Sequence, residues 1–378
     1  MEQETRCIHL EQPTQYELTG SISMPIYQTA TFAHPELGRS SGFDYSRLEN
    51  PTREQLQKIV AGLEYGQSCR AFSTGMAAIS ALMELFSPGD HIVVSDDLYG
   101  GSYRLFNTIN RKNGLNIEAC DTSDLTQVKA ALTAETKAVF IETPTNPMMH
   151  VSDIAAIAEL CHQYQARLIV DNTFLSPYFQ NPLRLGADIV VHSGTKFLGG
   201  HNDTLAGFLV CKDEATGEEL KQIQCTTGAC LGPFDAWLIM RGIKTLAVRM
   251  TAQQASAVAL ADWLQGQPHV SKVYYPGLTS HPAYALSKRQ SRGSGAMLSF
   301  RVDNANTARQ LLGRVSLIQF AESLGGVETL LTYPMTQTHA AVPPELREKL
   351  GIDDCLLRLS VGLEAVQDLK DDLAAALK

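Results

Sequence analysis

Between residues 68 and 212 short apolar runs alternate with amphipathic stretches, and this alternation restricts the possible fold more than any other feature of the chain. "HIVVS", "NIEAC", "KAVFIE", "ARLIVD", "ADIVVHS" and "LAGFLVC" read as strands, and "GMAAISALMELF" and "DIAAIAELCHQY" read as helices between them. Strands that are apolar on both faces and joined by helices predict an α/β fold with a mostly parallel sheet covered on both sides. Ligands of such sheets gather at the carboxyl ends of the strands. The polar residues that end these runs are therefore the first candidates for a site.

The flanks have a different texture. "PELGRSSGFDYSRLENPTREQ" is rich in glycine, serine and charge, which predicts an arm over residues 1–60. It passes into a helix at "NPTREQLQKIVAGLEYG", where Leu56, Ile59, Val60 and Leu63 recur at helical spacing, Gly66 offers a stop, and Thr52 with Gln55 suits a capping box. After residue 230, "PFDAWLIMRGIKTLAVRMTAQQASAVALADWLQ" reads as one long helix. "GAMLSFRV", "VSLIQFAES" and "CLLRLSVGLE" then read as strands without regular crossovers, mixed with the helix "NTARQLLGRV". The expected organisation is an arm (1–60), a large domain (61–245) and a smaller α+β domain (246–378).

Composition removes several classes of function. The net charge of −9 opposes nonspecific attraction to nucleic acid or an anionic membrane, and no segment is apolar for long enough to cross a bilayer. "MEQETRCIHLEQPTQ" lacks the features of a secretory signal, so a cytoplasmic location is expected. The eight cysteines are scattered, and even Cys225 and Cys230 lack the spacing of a zinc knuckle or a redox pair, so they read as reduced, mostly buried thiols. The ten histidines show no ligand spacing, and no metal is expected.

"LIVDNTF" delivers Asp171 to the end of one strand, and "VVHSGTKFLGGH" delivers Ser193, Thr195 and Lys196 to the end of another. A lysine paired with a carboxylate at that level suits a Schiff base with pyridoxal phosphate, whose protonated ring nitrogen the aspartate would hold. Taken singly, each residue has a plainer reading, as an exposed loop lysine and a turn-capping aspartate. "AFSTGMAAIS" offers the phosphate a seat: Ser73, Thr74 and Gly75 precede an apolar helix, so the amides of Gly75 and Met76 can face an anion. An ordinary capped helix start is the commoner meaning of that pattern. Ser193 and Thr195 add hydroxyls. No GxxxxGK[ST] run occurs, and "GSGAML" is only a fragment of a dinucleotide fingerprint, so a nucleotide phosphate fits less well. The small residues around Lys196 are expected to leave it room to move.

Together "YSRLENPTR", "STGMAA", "LYGG", "ETPTNP", "VDNTF", "HSGTKFLGGH", "ESLGGVE" and "LRLSVGLE" resemble, in order and over nearly the whole chain, the transsulfuration enzymes of cysteine and methionine metabolism. The resemblance implies the aspartate-aminotransferase type of pyridoxal-phosphate fold (fold type I). It implies that Lys196 forms the Schiff base, Asp171 pairs with the ring nitrogen and Tyr99 stacks on the ring. Gly75, Met76, Ser193 and Thr195 would hold the phosphate, and Tyr45 and Arg47 would reach it from a neighbouring subunit. The protein would then be a homo-oligomer, at least a dimer, with a tetramer of two dimers as the expected assembly. Arg358 would clamp the α-carboxylate of a sulfur-containing amino acid, oriented by Thr338, with Asn146 and Ser323 nearby. Strand alternation alone would also permit Arg358 to point outward.

The branch of the family is read from finer matches. Glu322 resembles the glutamate of the γ-lyase and γ-synthase branches, suited to the distal amino group of cystathionine, and could otherwise be a solvated loop carboxylate. Gly101 stands where methionine γ-lyases carry a cysteine. "YGGSYRLF" and "LSPYFQNP" lean towards γ-synthases, "YPGLTSHP" and "DNTFLSPYF" towards γ-lyases. The expected reaction is that of the γ-lyase branch, cystathionine to cysteine, 2-oxobutanoate and ammonia, with β-lyase or cysteine desulfhydrase side activity. The alternative is the γ-synthase or O-acylhomoserine sulfhydrylase branch. A silent cofactor-binding scaffold is the remote third reading, opposed by the complete Lys-Asp-Tyr-Arg set.

Overall fold

The computed structural model describes residues 1–9 and 20–378, so the part of the arm at residues 10–19 lies outside the described residues. Seven strands form a first sheet: β1 (Ser68–Phe72), β2 (His91–Ser95), β3 (Asn116–Cys120), β4 (Thr136–Glu142), β5 (Arg167–Asp171), β6 (Ile189–Ser193) and β7 (Gly207–Cys211). Their order is β1-β7-β6-β5-β4-β2-β3. All run parallel except β7, which is antiparallel to both β1 and β6. The expected strands are present; β1 was not among them, because "SCRAF" carries Arg70 in mid-run. That charge is accommodated by Glu49 and Glu218.

Alternation along each strand feeds two cores. Val139, Ile141, Leu168, Val170 and Val190 meet the helices Pro51–Glu64, Ile154–Gln163 and Pro233–Ile243. Ala138, Phe140, Ile169, Ile189 and Val191 meet the helix Gly75–Met83 and Leu220 of the helix Glu214–Thr227. Period two places Asp171 on the face of Ile169 and Ser193 on the face of Val191, so both point towards the helix that starts at Gly75. Asn172 and His192 fall on the opposite face.

A second sheet contains β8 (Val270–Tyr274), β9 (Met297–Val302), β10 (Gln319–Phe320), β11 (Leu330–Thr332) and β12 (Leu356–Ser360), in the order β10-β11-β12-β9-β8. It is antiparallel except for the β10–β11 pair. The strand expected across "VSLIQFAES" shrinks to two residues, because beyond Ala321, whose amide still donates to the Leu331 carbonyl, the chain turns so that Ser323 meets Lys196. Among the described residues no helix is long and apolar enough to cross a membrane. All eight cysteines are unpaired, and five are buried.

Two local expectations are corrected. The helix at residue 51 is capped by Asn50, whose side chain accepts from the Thr52 amide, and not by a Thr52–Gln55 box. Thr52 instead ties down the preceding segment: its hydroxyl donates to the Pro25 carbonyl and accepts from the Tyr27 amide. The long helix after residue 230 is two helices, Pro233–Ile243 and Leu246–Leu264. The chain turns at Lys244 and Thr245, where the Thr245 hydroxyl donates to the Gly242 carbonyl. The break lets Arg249 of the second helix reach back to the turn that carries Lys196.

Candidate active site

Glu142, Asp171 and Ser193 end three neighbouring parallel strands, and Glu142 lies beside Asp171 in register. Beyond them is a cavity of about 360 Å³, whose walls include Gly75, Met76, Tyr99, Asn146, Asp171, Ser193, Thr195, Lys196, Glu322, Ser323, Thr338 and Arg358. Twelve of the fourteen residues expected from the sequence therefore meet in one place. Tyr45 and Arg47 do not. They lie exposed on the arm, where Tyr45 bridges Thr31, Arg47 packs over the Tyr45 ring, and the Arg47 guanidinium donates to the Cys225 carbonyl at 2.5 Å.

Lys196 sits in a tight turn just after β6. The surrounding glycines serve close packing, which corrects the expectation that they leave the lysine space. A Cβ on Gly194 would stand 2.4 Å from the Phe208 ring, and one on Gly325, whose φ is +80°, would stand 2.7 Å from the Phe197 amide nitrogen. Arg249 locks the turn from behind by donating to the carbonyls of Phe197 and Gly242 at 2.8 Å. The Lys196 ammonium donates to Ser323 Oγ at 2.8 Å. Burial and the Arg358 charge lower its pKa to about 8, against the pull of Glu322. Near neutral pH such a lysine offers far more free amine than an ordinary one, available as nucleophile or proton acceptor.

Ser323 itself has φ +90°, outside the range an L-residue prefers. Such a conformation costs about 1–3 kcal/mol and is held here by two contacts, the Lys196 ammonium on its hydroxyl and Arg358 Nη2 on its carbonyl at 2.9 Å.

Arg358, in the middle of β12, is 1% exposed, so the outward-pointing alternative is excluded. Its guanidinium donates to Asn146 Oδ1 at 2.9 Å, the Ser323 carbonyl and Thr332 Oγ1, all neutral oxygens, and Nε has no partner. Burial lowers its pKa to about 10, which still leaves it charged at neutral pH. A desolvated cation held only by neutral acceptors, with one N–H unused, fits an incoming carboxylate.

Asp171 is raised by burial, while hydrogen bonds from the Thr173 amide (3.0 Å) and hydroxyl (2.5 Å), and the nearby His192, oppose the rise. Its neighbour Glu142 is pushed well above the usual carboxylate range by burial and by the Asp171 charge, although the Tyr99 amide donates to it at 3.0 Å. Burial and the Asp171 charge thus make Glu142 the more readily protonated of the two, and the hydrogen bonds from Thr173 favour the charged form of Asp171, which faces the cavity. Glu142, Thr173 and His339 were not singled out from sequence. The available signal for Glu142 was its place at the end of "KAVFIE", level with Asp171.

At the other end of the cavity Thr74 caps the helix Gly75–Met83, accepting from the Ala77 amide, which leaves the Gly75 and Met76 amides to face an anion. A Cβ on Gly75 would stand 3.1 Å from Ser193 Cβ and Oγ, so a side chain there would crowd the cradle. An anion cradle, a buried carboxyl and a lysine of depressed pKa on the wall of one cavity fit the phosphate, ring nitrogen and carbonyl carbon of pyridoxal phosphate. Tyr99, 42% exposed, offers a ring to stack on it.

Comparison with known proteins agrees. A family profile described as Cys/Met metabolism PLP-dependent enzyme matches residues 4–378. Among characterised relatives, a cystathionine gamma-lyase of Bacillus subtilis (strain 168) is 47% identical, covering 96% of both chains. A cystathionine beta-lyase of Lactococcus lactis subsp. cremoris (strain MG1363) is also 47% identical over 95% of both. A cystathionine gamma-synthase/O-acetylhomoserine (thiol)-lyase of B. subtilis is 50% identical over 96% of this chain and 92% of its own. The solved structure of a cystathionine gamma-lyase from Lactobacillus plantarum, complexed with L-serine, superposes with a TM-score of 0.96 at 44% identity, covering 100% of this chain and 98% of that one.

Proposed function

The chain belongs to the Cys/Met metabolism PLP-dependent enzyme family, and on that premise we propose that its main reaction is γ-cleavage of cystathionine, which with one water yields cysteine, 2-oxobutanoate and ammonia. Cleavage at the β-carbon and cysteine desulfhydration are the proposed side activities. The observation that carries this reading is the place of Glu322. It stands on the wall shared by the Lys196 cavity and a wider groove of about 890 Å³, whose other walls carry Asp203, Asp235 and Glu328. An acidic groove next to the carboxylate clamp suits a substrate with a second, distal ammonium.

Lys196, Asp171 and Tyr99 would hold the cofactor by its carbonyl carbon, ring nitrogen and ring face, and Gly75, Met76, Ser193 and Thr195 would hold its phosphate. When bound, pyridoxal phosphate supplies an electron sink for the negative charge that develops on the substrate. Arg358, fixed by Asn146 and Ser323, takes the α-carboxylate and sets the Cα–H bond towards Lys196. The Lys196 Nζ removes the Cα proton and then serves Cβ, where a second proton must leave before the γ-sulfur departs. Its low pKa permits both roles near neutral pH. Glu322 holds the distal ammonium and so keeps the sulfur in register.

Synthesis of cystathionine from an O-acylhomoserine and cysteine, or sulfhydrylation of the O-acylhomoserine, is the second reading, supported by the 50% identical B. subtilis relative. Supplying cystathionine and, separately, an O-acylhomoserine with cysteine decides between them. Cleavage of cystathionine should be the faster reaction, and faster synthesis would reassign the enzyme. Glu322→Ala should weaken cystathionine cleavage relative to cysteine desulfhydration. Because Glu322 is exposed, the charge-assisted contact is screened, and the ratio of the two kcat/KM values should fall by roughly threefold to tenfold. An unchanged ratio would reject Glu322 as the discriminator.

Tyr45 and Arg47 lie away from their own chain's cavity, which supports the reading that they complete a neighbour's phosphate site in a homo-oligomer of at least two chains. Mixing Arg47→Ala with Lys196→Ala chains should then restore part of the activity through hybrid dimers that contain one intact site. Hybrids verified by mass with no recovery would contradict shared sites.

A further inference from the structure

Thr338 and His339 follow one another on the small-domain side of the cavity, with Thr338 on its wall and His339 1% exposed behind it. Both nitrogens of His339 are engaged. Nε2 lies 3.1 Å from the carbonyl oxygen of Leu98, the residue before Tyr99, and Nδ1 lies 2.9 Å from Thr338 Oγ1. A carbonyl can only accept, so Nε2 must carry a proton. Desolvation and the Arg358 charge outweigh the hydrogen bonds to the Leu98 and Asn146 carbonyls, and the pKa falls to about 4, so the ring is neutral, with one proton, on Nε2, and a lone pair on Nδ1. The hydrogen in the Nδ1–Oγ1 contact can then come only from Thr338. A hydroxyl has one hydrogen to give.

We infer that His339 is a positioning residue that takes the Thr338 hydroxyl hydrogen, so that Thr338 presents only lone pairs to the cavity and selects a hydrogen-bond donor there, repelling a carboxylate. Thr338 therefore accepts from the substrate ammonium, and the carboxylate is left to Arg358 alone, whose Nε has no other partner. The same imidazole ties the loop of Thr338 to the loop of Tyr99. The close contact there reinforces the tie: a Cβ on Gly100 would stand 2.0 Å from the Thr338 carbonyl oxygen. The consequence for substrate rests on the proposed role of Arg358 as the carboxylate clamp; the assignment of the proton on His339 does not.

Butanoate, a carboxylate without an amine, separates the two in calorimetric titrations of the cofactor-loaded protein. Arg358→Lys should weaken butanoate binding, and failure to do so would remove the clamp reading while leaving the His339 assignment to be decided separately. Thr338→Val and His339→Gln should change the butanoate Kd by less than about twofold, because neither removes a donor aimed at the carboxylate; the glutamine amide can donate to Leu98 and accept from Thr338. His339→Leu frees the hydroxyl to donate, and butanoate should bind roughly threefold to tenfold tighter, a gain lost again on adding Thr338→Val. Weakening by tenfold in Thr338→Val alone would show that the hydroxyl donates to carboxylate and would overturn the inference, even if His339→Leu does not fold. Nitrogen-15 spectra of imidazole-labelled protein decide the proton directly. The signals absent from His339→Gln should report a protonated Nε2 and a bare Nδ1 at neutral pH, and the reverse tautomer or a doubly protonated ring would overturn the assignment whatever butanoate does.

Discussion

Replacing Lys196 with alanine is expected to abolish the proposed γ-cleavage, lowering kcat by about ten-thousandfold or more. The reason is geometric as much as chemical: the turn after β6 brings a single amine to the centre of the cavity, and a positioned base alone is worth about a hundredfold to ten-thousandfold. Loss of the covalent hold on the cofactor adds to that. Wild-type protein should be yellow, and borohydride should fix the cofactor on the peptide that contains Lys196. Colour and label that persist in the variant would disprove the assignment. A pH experiment tests the depressed pKa separately. With a pKa of about 8 the neutral amine is roughly a tenth of the population at pH 7, against a few ten-thousandths for an ordinary lysine. The rate at which cofactor-free protein captures pyridoxal phosphate should therefore rise with pH up to about 8 and then level off. A rise that continues towards pH 10 would mean that burial does not depress this lysine.

Asp171→Ala should lower kcat by about a hundredfold to a thousandfold while much of the cofactor stays bound. Lys196, Tyr99 and the Gly75–Met76 cradle would still hold it, but the negative charge aimed at the ring nitrogen would be gone. Stability should move the other way or hardly at all. Asp171 is a buried carboxyl whose charge raises its neighbour Glu142, so removing it spares a desolvated charge and eases the burial of Glu142. The check is kcat, cofactor content and Tm on the same preparation. A kcat within tenfold of wild type would remove Asp171 from catalysis, and a large fall in Tm would mean that its role is structural.

The opposite face of the same strands explains how Asp171 is held. His192 and Asn172 point away from the cavity and meet Glu64 of the helix Pro51–Glu64, at 2.6 and 2.7 Å, in a fully buried polar cluster. "VDN" and "VHS" therefore each contribute one residue to the site and one to its support. Period-two alternation makes both assignments readable from the sequence. The partner Glu64 was not readable, since it lies more than a hundred residues earlier in the chain.

Local rules determined a great deal here. Apolar runs on both faces specified the parallel sheet, and the polar residues at the run ends specified which edge would carry chemistry, because strand alternation and helix capping depend only on neighbours a few residues away. Lys196, Asp171, Ser193, Gly75 and Met76 were found on that basis. What remained for the tertiary structure were quantities set by long-range approach: that Arg358 is buried and hydrogen-bonded only to neutral oxygens, that the Asp171 charge raises the neighbouring Glu142, that the glycines around Lys196 admit Phe208 and Phe197 and do not provide free space, and that a neutral His339 sets the direction of the Thr338 hydroxyl. Each depends on desolvation and charge contributed by segments remote in sequence, and Coulombic and packing terms act through space, with no period along the chain from which to read them.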